Sequence, residues 1–149
     1  MCRTKDMGEH PVRVRRRLVP DEAQLQIILG SLLGGARIEG VPGARCMRVA
    51  HEIERERYVW WKYERLAQFA EAAPTRLGDR IGFRTIAHPI FDELAAAFAT
   101  PIGRRVTPVR RARIIRDLLA PLGLAVWMSD RGRIELRAEV FVPYRHAAA

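Results

Sequence analysis

The sequence predicts an α+β fold, because helical repeats of apolar residues alternate along the chain with short stretches in which every second residue is apolar. The chain has 149 residues, 48% hydrophobic and 29% charged, so it can form a core and fits one domain or two very small ones. No apolar run reaches the ~18 residues that a membrane span needs, and residues 1–17 lack the apolar stretch of a signal peptide. These features predict a cytoplasmic protein without a membrane partner. Cys2 and Cys46 are too few for a disulfide framework and lack the neighbours of a structural zinc site.

The first predicted elements are a helix and a hairpin. From Asp21 to Leu33 the apolar residues recur at helical spacing, and Asp21 has the side chain of a helix N-cap. The apolar stripe consists of Leu25, Ile28, Leu29, Leu32 and Leu33. Gly34-Gly35 then ends the helix, and the residues from Arg37 to His51 predict two short strands joined by the turn Gly40-Val41-Pro42-Gly43.

Three further elements are predicted in the middle of the chain. The residues from Glu54 to Ala72 predict a long helix, with Trp60 in the core and Trp61 at the surface. Arg80–Ile86 alternates between apolar and polar residues and predicts a strand. His88-Pro89 then begins a helix whose buried face carries Phe91, Leu94, Ala95 and Phe98.

The last part of the chain predicts a second strongly apolar helix and one more strand. Ile115, Leu118, Leu119 and Leu122 recur at helical spacing, and Pro121 is expected to start or kink the helix. Beyond Gly132, residues 133–140 alternate strictly, which predicts a strand with one buried and one charged face.

The positive charge of the chain is concentrated in two segments. The formal net charge is +9, and 24 of the 26 basic residues are arginine. Residues 1–17 carry a net charge of +4, residues 104–116 carry +6, and the rest of the chain is nearly neutral. This clustering favours segments that bind phosphate over the uniform arginine excess of a GC-rich coding sequence, although basic tails also serve as solubilising ends. A nucleic acid is therefore the first partner that we expect.

Two nine-residue segments of the chain align by residue type. They are residues 28–36 (ILGSLLGGA) and residues 124–132 (LAVWMSDRG), and each ends an apolar helix and precedes a strand. They resemble the repeated motif of the LAGLIDADG homing endonucleases. Arg48–Lys62, the stretch FRTIAHPIF at residues 83–91, and Leu118–Trp127 are similar to the DNA endonuclease branch of that family. The resemblance covers residues 19–142.

The resemblance implies modules of the α-β-β-α-β-β type that pack through their motif helices, with a saddle-shaped antiparallel sheet over the DNA major groove. Small residues would let the motif helices approach closely, and the candidates are Gly30, Gly34, Gly123 and Ala125. Arginines on the outward strand face would contact phosphates and bases, and these are Arg45, Arg80, Arg84, Arg133 and Arg137. The basic connector adds Arg104, Arg105, Arg110, Arg111 and Arg113.

The resemblance also implies where the catalytic acids would lie. The family's chemistry uses an acidic residue at the end of each motif helix, and the two carboxylates hold divalent metals at the scissile phosphates. The matching positions here are Gly35 and Arg131, neither of which can bind Mg²⁺. Asp130 stands one residue early and, at about 100° per residue, is expected to point away from the shared site.

Glu39 and Glu135 are the other candidate substitutes for the missing acids, with solvated strand residues as the alternative. No catalytic or metal-binding residue is therefore assigned, and Mg²⁺ is implied only for an active enzyme. His51 and His88 are expected to be structural residues or phosphate contacts.

The resemblance suggests four segments: a basic tail (1–18), a first module (19–103), a basic connector (104–116) and an incomplete second module (117–149). We expect the second module to be short through truncation, a frameshift or gene decay, or as a purposeful short form, with a homodimer partner as one source of the missing surface. We expect a protein that binds double-stranded DNA with weak or absent cleavage. The alternatives are an active Mg²⁺-dependent endonuclease with displaced or partner-supplied acids, and an RNA-binding, maturase-like splicing helper.

Overall fold

Helices and strands alternate along the part of the chain that the computed structural model describes, which is residues 17–98, 113 and 115–131. The helices are α1 (Glu22–Gly34), α2 (Glu56–Leu66), α3 (Pro89–Phe98) and α4 (Pro121–Asp130), and the strands are β1 (Arg37–Glu39), β2 (Cys46–Glu52), β3 (Thr75–Leu77) and β4 (Arg80–Arg84). Short 3-10 turns at Ile53–Arg55 and Ala67–Phe69 flank α2. The order from α1 to β4 is that of one α-β-β-α-β-β module, and the prediction of an α+β fold is confirmed.

The four strands form one antiparallel sheet in the order β1-β2-β4-β3. Ile38 pairs with Met47, and Val49 pairs with Phe83, so the apolar residues of these strands share one face. Helix α2 packs against β2 and β4. The opposite face, which we call the outer face, carries Arg37 and Glu39 of β1, Arg48, Ala50 and Glu52 of β2, and Arg80, Gly82 and Arg84 of β4.

The hydrophobic core lies between the sheet and the helices. Its fully buried members include Met47, Val49 and Ile81 from the sheet, Val59 and Leu66 from α2, Ile27 and Ile28 from α1, Phe91 from α3 and Val126 from α4. Burial of each such side chain contributes about 1.5–3 kcal/mol relative to exposure. All four helices are therefore held by one shared core.

Helix α1 begins and ends where its sequence predicts. The Asp21 side chain accepts a hydrogen bond of 2.7 Å from the Gln24 backbone N–H, and the Gln24 side chain accepts one of 3.0 Å from the Asp21 N–H. This reciprocal capping box satisfies donors that a helix start leaves free. At the other end Gly35 has a φ of 132°, a conformation that favours glycine.

Helix α2 is shorter than the predicted helix from Glu54 to Ala72. It ends at Leu66, because Ala67 has a φ of 45°, which a right-handed helix cannot contain. The chain then joins the sheet, where Ala70 forms a β-bridge with Thr85 and the Glu71 N–H donates to the Arg84 carbonyl at 2.9 Å. Hydrogen bonds to the sheet thus replace the last turns of the predicted helix.

The two tryptophans of α2 have the opposite placement to the predicted one. Trp61 is 4% exposed and stacks on Tyr58 with ring centroids 6.0 Å apart, whereas Trp60 is 36% exposed. The buried face of α2 consists of Tyr58, Val59, Trp61, Lys62 and Leu66. The prediction was wrong because the buried face extends from Val59 and Leu66 toward Tyr58 and Lys62, the side of the helix that carries Trp61 and not Trp60.

The remaining predicted elements that fall on described residues agree with the structure in position. The Arg80–Ile86 alternation corresponds to β4, with Ile81, Phe83 and Thr85 buried, and α3 starts at Pro89. Pro121 is the first residue of α4, and residues 115–118 are also helical. The edge strand β3 was not predicted. The predicted strand at residues 133–140 lies outside the described residues, as do most of the basic tail and the connector.

No helix among the described residues is long and apolar enough to cross a bilayer.

Candidate nucleic-acid interface

The two motif helices, α1 and α4, pack directly against each other. A Cβ atom on Gly30 would collide with the Gly123 carbonyl oxygen and would lie 2.7 Å from the Val126 Cβ. A Cβ on Gly34 would collide with the Asp130 side chain. The helices approach this closely because both glycines lack a side chain. Ala125, the fourth small residue, is half-buried.

Gln26 fixes the point at which the chain returns to α1. Its side-chain oxygen accepts from the Ala120 N–H at 2.8 Å, and its amide nitrogen donates to the Leu118 carbonyl at 2.9 Å. The residue is 2% exposed. One buried amide therefore anchors the residues that lead into α4.

Asp130, the last residue of α4, lies in a buried polar cluster with residues of α2 and β2. Lys62 Nζ donates to Asp130 Oδ1 at 2.7 Å and to Oδ2 at 2.9 Å, and the Tyr58 hydroxyl donates to Oδ1 at 2.6 Å. The Asp130 side chain is 2% exposed and Lys62 is fully buried. The expectation that Asp130 points away was wrong: α4 is oriented so that Val126 and Asp130, one turn apart, both face α1.

Protonation in this polar cluster is governed mainly by burial. Burial, together with the positive charge of Lys62, lowers the pKa of His51 to about 3. Burial also lowers the pKa of Lys62 to about 8, although Asp130 acts in the opposite direction. Burial and Asp130 both raise the pKa of Tyr58. At neutral pH Lys62 is therefore the charged donor to Asp130, and His51 is a neutral ring whose Nε2, 3.4 Å from Lys62 Nζ, accepts from the ammonium.

Three arginines form a row across the outer face of the sheet. Arg48 lies opposite Arg37 on one side and opposite Arg84 on the other. Like charges directly opposite each other destabilise a sheet. Glu39 Oε2 lies 3.8 Å from both Arg48 Nη1 and Arg84 Nε, so one carboxylate forms ion pairs with two guanidiniums. The row keeps a surplus of positive charge toward solvent.

Two other arginines proposed from the sequence lie at the margins of this face. Arg80 Nη2 donates to the Ala50 carbonyl at 3.0 Å. Arg45, just before β2, has its Nε 3.7 Å from Asp92 Oδ1. Arg113 is helical and exposed. Outside the described residues lie Arg104, Arg105, Arg110, Arg111, Arg133, Arg137 and Glu135.

Both nine-residue motifs and the sheet between them fall within one matched region. A model of the LAGLIDADG DNA endonuclease family matches residues 25–142, most of the chain. The chain belongs to this family. No curated protein matches it significantly.

The LAGLIDADG fold is also found by comparison with solved structures. The homing endonuclease I-WcaI, solved bound to its DNA recognition sequence, is similar with a TM-score of 0.61 and 16% sequence identity. The similarity covers 82% of this chain and 59% of that chain. At this identity the likeness shows a common fold, and our chain spans less than two thirds of the I-WcaI chain.

The two residues that the resemblance predicts at the motif acids, Gly35 and Arg131, offer no ligand to a divalent metal ion. Gly35 has no side chain, and Arg131 carries a cation that would repel another. Both oxygens of Asp130 already accept hydrogen bonds from Lys62. Glu39 lies between two arginines. Among the residues that the structure describes, no group of three or more His, Cys, Asp or Glu side chains is placed to hold a metal ion.

The two histidines have different surroundings. His51 belongs to the polar cluster, with its Nε2 3.6 Å from Asp130 Oδ1. His88 Nε2 donates to the Leu18 carbonyl at 2.7 Å, while its Nδ1 accepts from the Ile90 N–H at 3.1 Å. Both ring nitrogens of His88 are thus used within the fold, which leaves it a structural role.

Sequence reasoning missed Tyr58 and Lys62 of the polar cluster and Arg37 and Arg48 of the arginine row. A signal was present for Lys62: it is one of two lysines in a chain with 24 arginines, four residues after Tyr58 on a helix. Arg37 and Arg48 belong to the predicted hairpin, but which of its residues face outward depends on the register.

Proposed function

We propose that this LAGLIDADG protein binds double-stranded DNA through the outer face of its sheet and does not cleave it. The observation that carries the proposal is the state of Asp130, the carboxylate nearest to the motif positions. Its oxygens are bound by Lys62 and Tyr58 in a buried cluster. A carboxylate whose lone pairs are used in this way is a poor ligand for a hydrolytic metal ion.

Support for DNA as the partner comes from charge and fold. The row of Arg37, Arg48 and Arg84 presents planar groups that can donate in pairs to phosphate oxygens or to guanine. At the centre of the same face the Ala50–Gly82 pair has little side chain. This leaves room for a duplex to approach the backbone closely. The I-WcaI structure, with a similar fold, is bound to its DNA recognition sequence.

Support for the absence of cleavage comes from the lack of carboxylates that could bind the metal ions. Two-metal hydrolysis of a phosphodiester needs carboxylates that are free to share the metals. Gly35 and Arg131 provide none. The proposal therefore combines a basic DNA-binding face with motif positions that lack carboxylates.

The test measures binding and cleavage on the full chain. A fluorescently labelled duplex of random sequence is titrated at several NaCl concentrations, and supercoiled plasmid is incubated with protein in Mg²⁺, in Mn²⁺ and in EDTA. We expect retention of the duplex with a steep loss of affinity as salt rises, and intact plasmid in all three buffers. The double variant Arg48→Gln with Arg84→Gln should bind more weakly than Arg57→Gln, which removes an exposed arginine of α2.

Cutting that requires the metal and stops with EDTA would overturn the non-cleaving assignment and favour an active endonuclease. Tighter binding of a structured RNA than of a duplex of equal length, at the same salt, would overturn the choice of DNA and favour a splicing helper.

A further inference from the structure

A solvent-open cleft of about 190 Å³ lies where the end of α1 meets the sheet. It is lined by Gly34, Gly35 and Ala36 from the α1 end, Val49, Ala50, His51 and Glu52 from β2, and Arg55, Arg80 and Asp130. Ala50, Glu52 and Arg80 also belong to the outer face. The cleft is therefore continuous with the surface that we propose for the duplex.

The charge of the cleft is positive in effect. Asp130 is neutralised by the ammonium of Lys62, its bidentate partner. His51 is a neutral ring at pH 7, since burial and the nearby cations hold its pKa at about 3. This leaves the guanidiniums of Arg55 and Arg80 against one exposed carboxylate, that of Glu52.

Both guanidiniums are held in place without being neutralised. The Arg55 guanidinium carbon lies 4.7 Å from the centroid of the Tyr58 ring, a cation–π contact that fixes its position and leaves its N–H groups available. Arg80 uses one nitrogen for the Ala50 carbonyl. Within residues 17–98, 113 and 115–131, neither arginine forms an ion pair with a carboxylate. The partial negative charge at the C-terminal end of the α1 dipole favours these two guanidiniums nearby.

We propose that this cleft is a phosphate subsite, in which Arg55 and Arg80 together hold one backbone phosphate of the bound duplex with no metal ion between them. The proposal rests on the proposed function. The resemblance implies that members that cleave hold divalent metals at the phosphate, whereas in this cleft the positive charge comes from the side chains of Arg55 and Arg80. Guanidinium groups suit this role because each can donate two parallel hydrogen bonds to phosphate oxygens.

The experiment compares the salt dependence of duplex binding for wild type, Arg55→Gln, Arg80→Gln and the double variant. A phosphate contact contributes about 0.9 to the slope of log K against log salt. If both arginines share one phosphate, the double variant should lose about 0.9 in slope, and either single variant a part of it. Arg57→Gln is the matched control, since it removes an arginine near Arg55 that does not line the cleft, and its slope should stay closer to wild type.

The outcomes separate the subsite from the proposed function. A wild type that does not bind duplex refutes the proposed function. A wild type that binds with a steep slope, and cleft variants that match Arg57→Gln, refute the subsite alone. A loss of about 1.8 in the double variant means two separate phosphates, which also refutes it. Thermal melts of each variant establish that the fold is intact.

Duplex affinity measured with and without Mg²⁺, at constant ionic strength, tests whether a metal ion takes part in binding at the cleft. We expect no gain in duplex affinity for wild type. A gain that disappears in Glu52→Gln would place a metal ion in the cleft and overturn the proposal.

Discussion

Lys62 is a charged residue without exposed surface, and its ammonium depends on one carboxylate. A buried charge without a partner destabilises a fold by much more than the intact ion pair stabilises it. Loss of the Asp130 carboxylate would therefore destabilise the fold mainly because the ammonium of Lys62 would be buried without a partner.

The first prediction concerns Asp130→Asn. We expect the free energy of unfolding to fall by about 3–5 kcal/mol at or below pH 7, as for other broken buried ion pairs. The loss should shrink toward pH 8. Without the carboxylate the pKa of Lys62 falls below its present value of about 8, so the native variant releases a proton there that the unfolded chain keeps. Urea unfolding at several pH values measures this.

Two comparisons make that result specific. Glu52→Gln removes an exposed carboxylate near the same cleft and should change stability by no more than about 0.5 kcal/mol. Adding Lys62→Met to Asp130→Asn should recover most of the loss, because no charge is then buried. Equal stabilities of Asp130→Asn and Glu52→Gln would contradict our account of the pair.

The second prediction concerns the acid side of the stability profile. The pKa of His51 is about 3 in the fold, against 6.5 for an unperturbed histidine, so the unfolded chain binds the extra proton between these values. The stabilising effect of the neutral ring is present above pH 6.5 and is lost as the pH falls toward 3. At about 1.4 kcal/mol per pKa unit, roughly 2 kcal/mol is lost by pH 5.

His51→Gln keeps an acceptor for Lys62 but does not titrate. Its stability should fall less steeply than that of wild type between pH 7 and 5, in denaturant unfolding at each pH. Parallel profiles for the two proteins would show that His51 is not the titrating group.

At the scale of the elements, the contact between α1 and α4 depends on glycine. The third prediction is that Gly30→Ala lowers the free energy of unfolding by about 1–2 kcal/mol, since overpacking costs up to about 3 kcal/mol and the better helix propensity of alanine returns about 1 kcal/mol. The clash with the Gly123 carbonyl and Val126 is the cause. Thermal or urea unfolding measures it.

Ser31→Ala on the same helix is the control. The Ser31 hydroxyl is buried and has no hydrogen-bond partner among the described residues. Its removal should be neutral or stabilise by up to about 1 kcal/mol. If Gly30→Ala were as stable as Ser31→Ala, the two motif helices would not pack as closely as described.

The elements that the sequence predicted are those whose signals are local. Asp21 and Gln24 cap α1 three residues apart, and Pro89 and Pro121 each stand at the start of a helix. The end of α2 was not predictable in this way, because Ala70 leaves the helix for a partner, Thr85, that is distant in sequence. β3 is only three residues long, with all of them exposed, and carries little apolar pattern.

The candidate site was less predictable than the fold, for a related reason. From the sequence, Gly35 and Arg131 are predicted to stand at the motif acids, and this stays a prediction. The partner of Asp130 could not be predicted, because Lys62 lies 68 residues away and meets it only through the packing of α4 on α1 and α2. The direction of the Asp130 side chain depends on which face of α4 meets α1. The helical rotation of about 100° per residue does not give that face.

At the scale of the whole molecule, the net charge of +9 is unevenly distributed, and the connector at residues 104–116 contributes most to it. The fourth prediction is that changing Arg110, Arg111 and Arg113 to glutamine reduces the salt slope of duplex binding by about 0.9 for each phosphate that the variant no longer binds. Fluorescence anisotropy across a salt series measures the slope, with Arg57→Gln as a single-charge reference. An unchanged slope would refute a role of these arginines in binding.

The contacts of the Gln26 side chain determine where the chain can tolerate insertions. It binds the backbone on both sides of Leu119, just before α4, in the way that a neighbouring peptide group would. The entry of α4 is therefore set by α1 and not by how many residues join α3 to it. The free-energy cost of closing a loop rises by only about 0.6 kcal/mol for each doubling of its length. The segment that joins α3 to α4 is therefore where the protein can accept inserted residues.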